Sequence, residues 1–353
     1  MECPDLTFIP TKVQEYIKYL EREIEQSKVK KHPTKIKKRK AEPDIPKEPA
    51  ELSEPPTTFN LISISTLGYI KRSHRHLYQR QRRGGIGMFD IEISQNDQPH
   101  LLVIADEDDT LMFITSKART FCLAVNELPE SLIRSKGQLL SNWIPLHDDE
   151  QVTAVFVQKD KGYITILTDR GHLRRYVYNH FRKNFMAGRV IIEIEQLGNP
   201  VSACWTEENN EFFIATRQGK GIRFAENLVP MRGCLGIRLA KDDEAVALTP
   251  TTEDSGIFMM TANGKGTVRS MSGFSANKSP GSGGKVAMKT DNLIGAVWVN
   301  DGDDLFAISK SGRIIRFQAD DVPTKKGAVQ GVNCMVLRDD QVSAIIKCDV
   351  DSM

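Results

Sequence analysis

One short pattern returns six times along this chain: an apolar strand, a polar turn that usually carries glycine, and a second strand bearing Arg or Lys. The copies run from Leu61 to Arg72 with Gly68 at the turn, Leu111 to Phe121 with Ala118, Ile164 to Arg175 with Gly171, Phe212 to Arg223 with Gly219, Ile257 to Arg269 with Gly264, and Leu305 to Arg316 with Gly312. Successive turns lie 50, 53, 48, 45 and 48 residues apart. Glycine suits them because tight hairpin turns need a positive φ, which costs a residue with a Cβ.

Each repeat has a second half. A glycine-containing basic loop precedes another apolar strand, at Arg83 to Gly87, Ser135 to Gly137, Ala187 to Arg189, Arg232 to Gly236, Gly281 to Lys285 and Lys326 to Gly331. A further apolar run closes most units, as in Val152 to Val157, Val201 to Trp205 and Leu293 to Trp298. Six units of about four strands predict an all-β, six-bladed β-propeller over residues 57–353. The even spacing argues against a two-domain all-β arrangement. Closing the ring protects strand edges. The strand from Asn60 to Ser65 is therefore expected within or beside the blade holding Val342 to Lys347.

Residues 1–56 read differently. Thr11 to Gln14 forms a capping box. Val13, Ile17, Leu20 and Ile24, with Tyr16, make one apolar helical stripe, which Pro33 bounds. A helix of about four turns is marginal alone in water, so it is expected to pack on something, with the partner left open. The run from Lys28 to Lys40 holds eight Lys and Arg residues, and Ala41 to Pro56 is a Pro- and Glu-rich linker. The basic run reads equally as a mobile tether or as an arm that touches DNA phosphates.

Composition excludes several classes. The net charge is only +2, and from residue 57 onward 36 basic residues face 35 acidic ones. Any basic surface must therefore come from local clustering. Cys3, Cys122, Cys204, Cys234, Cys334 and Cys348 are scattered without a C-x-x-C pair, which favours buried free thiols over zinc ligation or disulfides. No apolar run approaches the ~20 residues of a membrane span, and Pro4, Asp5 and Pro10 interrupt any leader pattern. A cytoplasmic protein is expected.

The most specific segment is Gln81-Arg82-Arg83-Gly84-Gly85-Ile86-Gly87. It resembles the gyrase-A box, the heptapeptide Gln-(Arg/Lys)-Arg-Gly-Gly-(Arg/Lys)-Gly of the DNA gyrase A C-terminal domain family. Its approach through Gly68 to Arg72 and Tyr78 is similar too, as are Gly312 to Phe317 and Arg232 to Leu239. The resemblance covers about residues 58 to 350. It implies a β-pinwheel, a propeller with strands swapped between blades, whose basic rim bends double-stranded DNA.

On the residues themselves, Arg82 and Arg83 suit phosphate contacts, while Gly84, Gly85 and Gly87 allow a backbone to approach the duplex closely. Gln81 completes the box, and Lys71, Arg72, Arg175, Arg223, Arg269 and Arg316 join it as candidate DNA contacts on the repeat strands. The repeat arginines read equally as solvated charges opposing carboxylates across a hairpin. The box can also be a structural clasp of the first blade. At its sixth position, where the family carries a cation, Ile86 stands.

No catalytic chemistry is legible. Arg175-Tyr176 lies in a repeat strand and reads as structural, Gly219-Lys220-Gly221 is a hairpin turn rather than a phosphate loop, and the seven histidines have no ligand spacing. No catalysis by this chain alone, no cofactor, no metal and no small-molecule substrate are expected. The partner expected is duplex DNA, bound either for a separately encoded topoisomerase core or by a free-standing architectural protein. The alternative is a protein-interaction propeller that has lost strong wrapping; a continuous positive belt on the rim favours the first reading, alternating signs the second.

Overall fold

The computed structural model describes residues 17, 18, 20, 22, 54–182, 187–277 and 279–349. The chain divides into two compact units, Met1–Ala50 and Glu51–Met353. In the first, Ile17, Lys18, Leu20 and Arg22 are helical, with Ile17 half-buried and the other three exposed. The expected capping box and the basic run lie outside the described residues, as does the linker before Glu54.

The second unit is built from the six repeats. The first supplies β1 (Phe59–Ser65), β2 (Tyr69–His74), β3 (Met88–Phe89) and β4 (Pro99–Asp106). The second supplies β5 (Thr110–Thr115), β6 (Arg119–Ala124), β7 (Gln138–Leu139) and β8 (Val152–Val157). The third gives β9 (Tyr163–Thr168), β10 (His172–Val177), β11 (Arg189–Val190) and β12 (Pro200–Thr206). The fourth gives β13 (Glu211–Thr216), β14 (Lys220–Ala225), β15 (Cys234–Leu235) and β16 (Ala245–Thr251). The fifth gives β17 (Gly256–Thr261), β18 (Lys265–Ser270), β19 (Lys285–Val286) and β20 (Leu293–Val299). The sixth carries β21 (Asp304–Ser309), β22 (Arg313–Gln318), β23 (Thr324–Lys325), β24 (Val332–Asn333) and β25 (Val342–Cys348).

Each sheet draws on two repeats. The hairpin and the innermost strand come from one repeat, and the outermost strand is lent by the next. The first sheet runs β4-β1-β2-β7 from the axis outward, and three further sheets repeat the scheme; in the fifth, β20-β17-β18, the outer place is shared by β23, parallel, and β24, antiparallel. The sixth, β25-β21-β22-β3, takes its outer strand from the first repeat, where Met88 pairs with Ile314 and Phe89 with Arg313. The innermost strands β4, β8, β12, β16, β20 and β25 together line a central cavity.

The first strand of each hairpin is buried on both faces, as in Leu111 to Thr115 and Ile257 to Thr261. That is why these strands read as continuous apolar runs rather than as alternating ones: sheets pack on both sides. Six core clusters fill the six junctions. One joins Leu61 and Leu102 to Phe306, Ile308 and Ala344, closing the last repeat onto the first. The strand from Asn60 to Ser65 thus stands in the sheet beside the one holding Val342 to Lys347, as the edge argument expects. Ala118 takes the left-handed backbone that glycine takes at the other hairpin turns, with φ 54°.

Candidate nucleic-acid interface at the outer rim

The box lies across the sixth repeat. Gln81 N–H donates to the Arg316 carbonyl at 2.7 Å, and Gly84 N–H to that of Cys334 at 2.7 Å. Val336 N–H returns a bond to the Gly85 carbonyl at 2.9 Å. Arg83 donates from Nε to the Asp321 carbonyl at 2.5 Å and from Nη1 to that of Asn333 at 3.2 Å. Arg80, just before the box, forks onto the Asp304 carboxylate at 2.9 and 3.1 Å. Within this clasp Arg82 and Ile86 remain exposed.

The repeat arginines sit elsewhere than expected. Arg72, Arg175, Arg223 and Arg316 are all buried, with 4 to 9% of their surface exposed. Arg72, Arg175 and Arg223 reach from their own strands to the first residue of the next repeat's short turn (Val125–Glu127, Glu226–Leu228 and Met271–Gly273), and Arg316 reaches the residue just after the turn Arg75–Leu77. Arg72 donates to the Val125 carbonyl at 2.9 Å, and Arg223 to the Met271 carbonyl at 2.8 Å. Arg316 donates to the Tyr78 carbonyl at 3.2 Å, and Arg175 to the Glu226 carboxylate at 2.6 Å. Carboxylates complete the clasps: Glu130 for Arg72, Glu211 for Arg223, Asp304 for Arg316. Burial takes these arginines off an open rim edge and out of solvent, although Glu211 and Asp304 do oppose Arg223 and Arg316 within their own hairpins. The four arginines tie one blade to the next, although Nε of Arg72 and of Arg175 has no partner among the described residues. Arg269 is buried too, in surroundings of a different kind.

Lys71 is likewise internal. Its ammonium donates to Asp90 at 2.6 Å and to the Tyr78 hydroxyl at 3.2 Å, and that hydroxyl donates to the same carboxylate at 2.7 Å. Burial, and then the Asp90 charge, push the Tyr78 hydroxyl well above its ordinary range. Glu54, which the sequence places in the linker, joins Arg75 and Arg316. Burial pushes its carboxyl up, but hydrogen bonds and charge from the two arginines outweigh this and hold it low.

Charge is sorted by position. The segments leading into the outermost strands are 78–89, 128–139, 179–190, 229–235, 274–286 and 322–333. They carry 13 basic residues against the single acidic Glu130. Arg82, Arg134, Arg189, Arg232, Lys285, Lys325 and Lys326 are exposed there, at least one from every repeat. The turns joining each innermost strand to the next hairpin, at 106–109, 158–162, 207–210, 252–255 and 300–303, hold 11 acidic residues against two basic ones. Near-neutrality of the sum conceals a basic rim and acidic end turns. Arg189, Arg232, Lys285 and Lys326 lie in the basic loops that the sequence shows, but of the rim cations only Arg82 is a sequence candidate; counting charge by segment singles out the rest.

Among the described residues no cluster of His, Cys, Asp or Glu could hold a metal ion, and no helix is long and apolar enough to cross a membrane.

Known proteins resemble this chain. The family described as DNA gyrase C-terminal domain, beta-propeller, matches residues 60–98, 109–159, 210–252 and 303–349. The DNA gyrase A protein of Escherichia coli (strain K12) is 28% identical over 284 residues, covering 77% of this chain and 32% of that protein. Its counterpart in Staphylococcus epidermidis (strain ATCC 12228) is 30% identical over 302 residues, covering 81% and 34%. The chain thus spans about a third of the length of these relatives. A solved DNA gyrase A C-terminal domain superposes with TM-score 0.74 at 20% identity, covering 82% of this chain and 99% of that one. The C-terminal domain of DNA topoisomerase IV gives TM-score 0.61 at 19% identity, covering 83% and 94%. The chain belongs to the DNA gyrase C-terminal β-propeller family.

Proposed function

We propose that this protein binds duplex DNA along its outer rim and bends it, without sequence preference, as the non-catalytic wrapping part of a gyrase- or topoisomerase IV-like enzyme. The observation that carries this reading is the sorting of charge: every blade offers an exposed cation on its outermost segment, while carboxylates gather at the end turns. A duplex presents one phosphate charge per ~1.7 Å, so cations spaced around a perimeter suit a bent backbone better than a single groove does. The contact set begins at the box, with Gln81, Arg82, Arg83 and the backbone at Gly84, Gly85 and Gly87, and continues through Arg134, Arg189, Arg232, Lys285, Lys325 and Lys326. Arg72, Arg175, Arg223, Arg316 and Lys71 act beneath it by fixing blade positions. Kinship with DNA gyrase A proteins accords with this reading, which brings with it a separately encoded catalytic core as partner and residence with the nucleoid.

Because the box also clasps the sixth repeat, the exposed side chains of Arg82 and Ile86 are the positions at which to test DNA contact. Fluorescence transfer between the ends of a duplex longer than ~100 base pairs, measured beside affinity, reads bending directly. Ile86→Lys is expected to tighten bending and Arg82→Ala to relax it while loose binding persists. Absence of binding at low salt would sink the reading in favour of a protein-interaction propeller.

A further inference from the structure

The fifth repeat breaks the clasp pattern and leaves a charge unmet. The short turn starts three residues after Arg72, Arg223 and Arg316, but only two after Arg269. Side chains alternate along a strand, so this offset turns Arg269 to the opposite face. Val268 fills the clasp position and packs in one cluster with Ala319 and Val322.

Arg269 is 7% exposed, yet it donates only from Nη2 to the Gly273 carbonyl, at 3.3 Å. Its Nε and Nη1 have no partner among the described residues. Burial lowers its pKa, with no carboxylate acting against it. The neighbours are cationic as well. Lys325 is its partner in the parallel strand β23, with Lys326 next along. Lys285 approaches the same Phe274 ring, at 5.8 Å from the centroid against 5.6 Å for Arg269. Nη1 faces Gly327, 3.9 Å from where a Cβ would sit. A buried guanidinium with unmet donors is costly until an anion meets it, and its planar fork matches phosphate.

We infer that Arg269, beneath the 324–327 loop between the fifth and sixth blades, holds a phosphate group. The phosphate comes from the backbone of rim-bound DNA or from a free polyphosphate; the first source rests on the DNA reading above, the second does not.

Gly327→Asp tests this, because it supplies an internal carboxylate where the added Cβ meets only Arg269 at ordinary contact distance and the backbone is not left-handed. Gly283→Asp, whose Cβ has nothing within 4 Å, brings the same charge to the rim without that contact to Arg269 and serves as control. Arg269→Gln removes the cation itself. The full chain is melted with and without sodium pyrophosphate at constant ionic strength, and its affinity for a long duplex is measured. Pyrophosphate is expected to raise the melting temperature of wild type and Gly283→Asp, but not of Gly327→Asp or Arg269→Gln. Duplex affinity is expected to fall about tenfold in Gly327→Asp and only about twofold in Gly283→Asp, the size of one lost charge-assisted contact. Separation of the two aspartate variants by DNA alone assigns the site to a backbone phosphate, and by pyrophosphate alone to a free polyphosphate. If neither ligand separates them, the inference is overturned. A wild type that ignores duplex but answers to pyrophosphate would sink the DNA reading and leave this site standing.

Discussion

The carbonyl oxygen of Ile314 lies 2.5 Å from where a Cβ on Gly87 would sit. Gly87 is the last residue of the box, has φ 74°, and leads straight into the strand that closes the ring. A methyl group there meets backbone, which cannot step aside. Gly87→Ala should cost about 3 kcal/mol or more, since left-handed strain and a backbone clash combine. Gly68→Ala has φ 82° and open space, so it should cost only about 1 kcal/mol. Urea unfolding of the two variants checks the difference; equal losses would show that the Ile314 contact is immaterial.

Glu54 is a pH-dependent tie. Its carboxyl is held below the ordinary value of 4.5 by Arg316 and Arg75 in spite of burial. A depressed folded pKa contributes stability that is fully present above the unfolded value and fades as pH falls through the folded one. Glu54→Gln should therefore lose about 3 kcal/mol at pH 7, as a broken buried ion pair does. The gap between variant and wild type should shrink below about pH 4. Chemical denaturation at pH 7, 5 and 3.5 reads it, and a gap that widens in acid would contradict the assignment.

Rim and clasp arginines should separate in one experiment. Replacing Arg134, Arg189 and Arg232 together by Gln should flatten the slope of log K against log salt by about 3, at ~0.9 per phosphate, with little change in stability. Arg223→Met should lower stability by about 3 kcal/mol and leave the slope of the folded protein unchanged. A slope that follows Arg223 rather than the rim set would reverse the two roles.

The thiols should be silent in the folded state. Burial pushes Cys122 and Cys334 up to about 12, and Cys204 higher still. Reaction with an aromatic disulfide at pH 8 should wait for unfolding at these three positions, because only thiolate attacks. Rapid labelling of any of them under native conditions would show that the blade junctions open.

The repeats are legible in the sequence because each hairpin is local: apolar strand, turn and second strand fit within a dozen residues, and Gly171 or Gly312 announces its own backbone. The exchange of strands is not legible from pattern. Met88-Phe89 and Gln138-Leu139 are two-residue strands, too short for any periodicity, and only the family resemblance implies that they swap. The burial of Arg72, Arg175, Arg223 and Arg316 is hidden for another reason. What covers each of them belongs to the next repeat, and a charge on a strand looks solvated until that neighbour is placed. Arg269 shares the same apparent motif; a single residue of offset sets it on the other face. The rim cations are masked by averaging, since acidic end turns cancel them in any whole-chain sum.

Every repeat lends its short outer strand backward and borrows one from the repeat that follows. A whole repeat added or deleted at any boundary would therefore leave no sheet with a bare edge, because lender and borrower remain matched around the circle. What changes is the perimeter. Each repeat brings its own patch of cations on the strand it lends, so the track offered to a polyanion lengthens or shortens by one blade. Its curvature changes in step, without any new residue having to be selected at the junction.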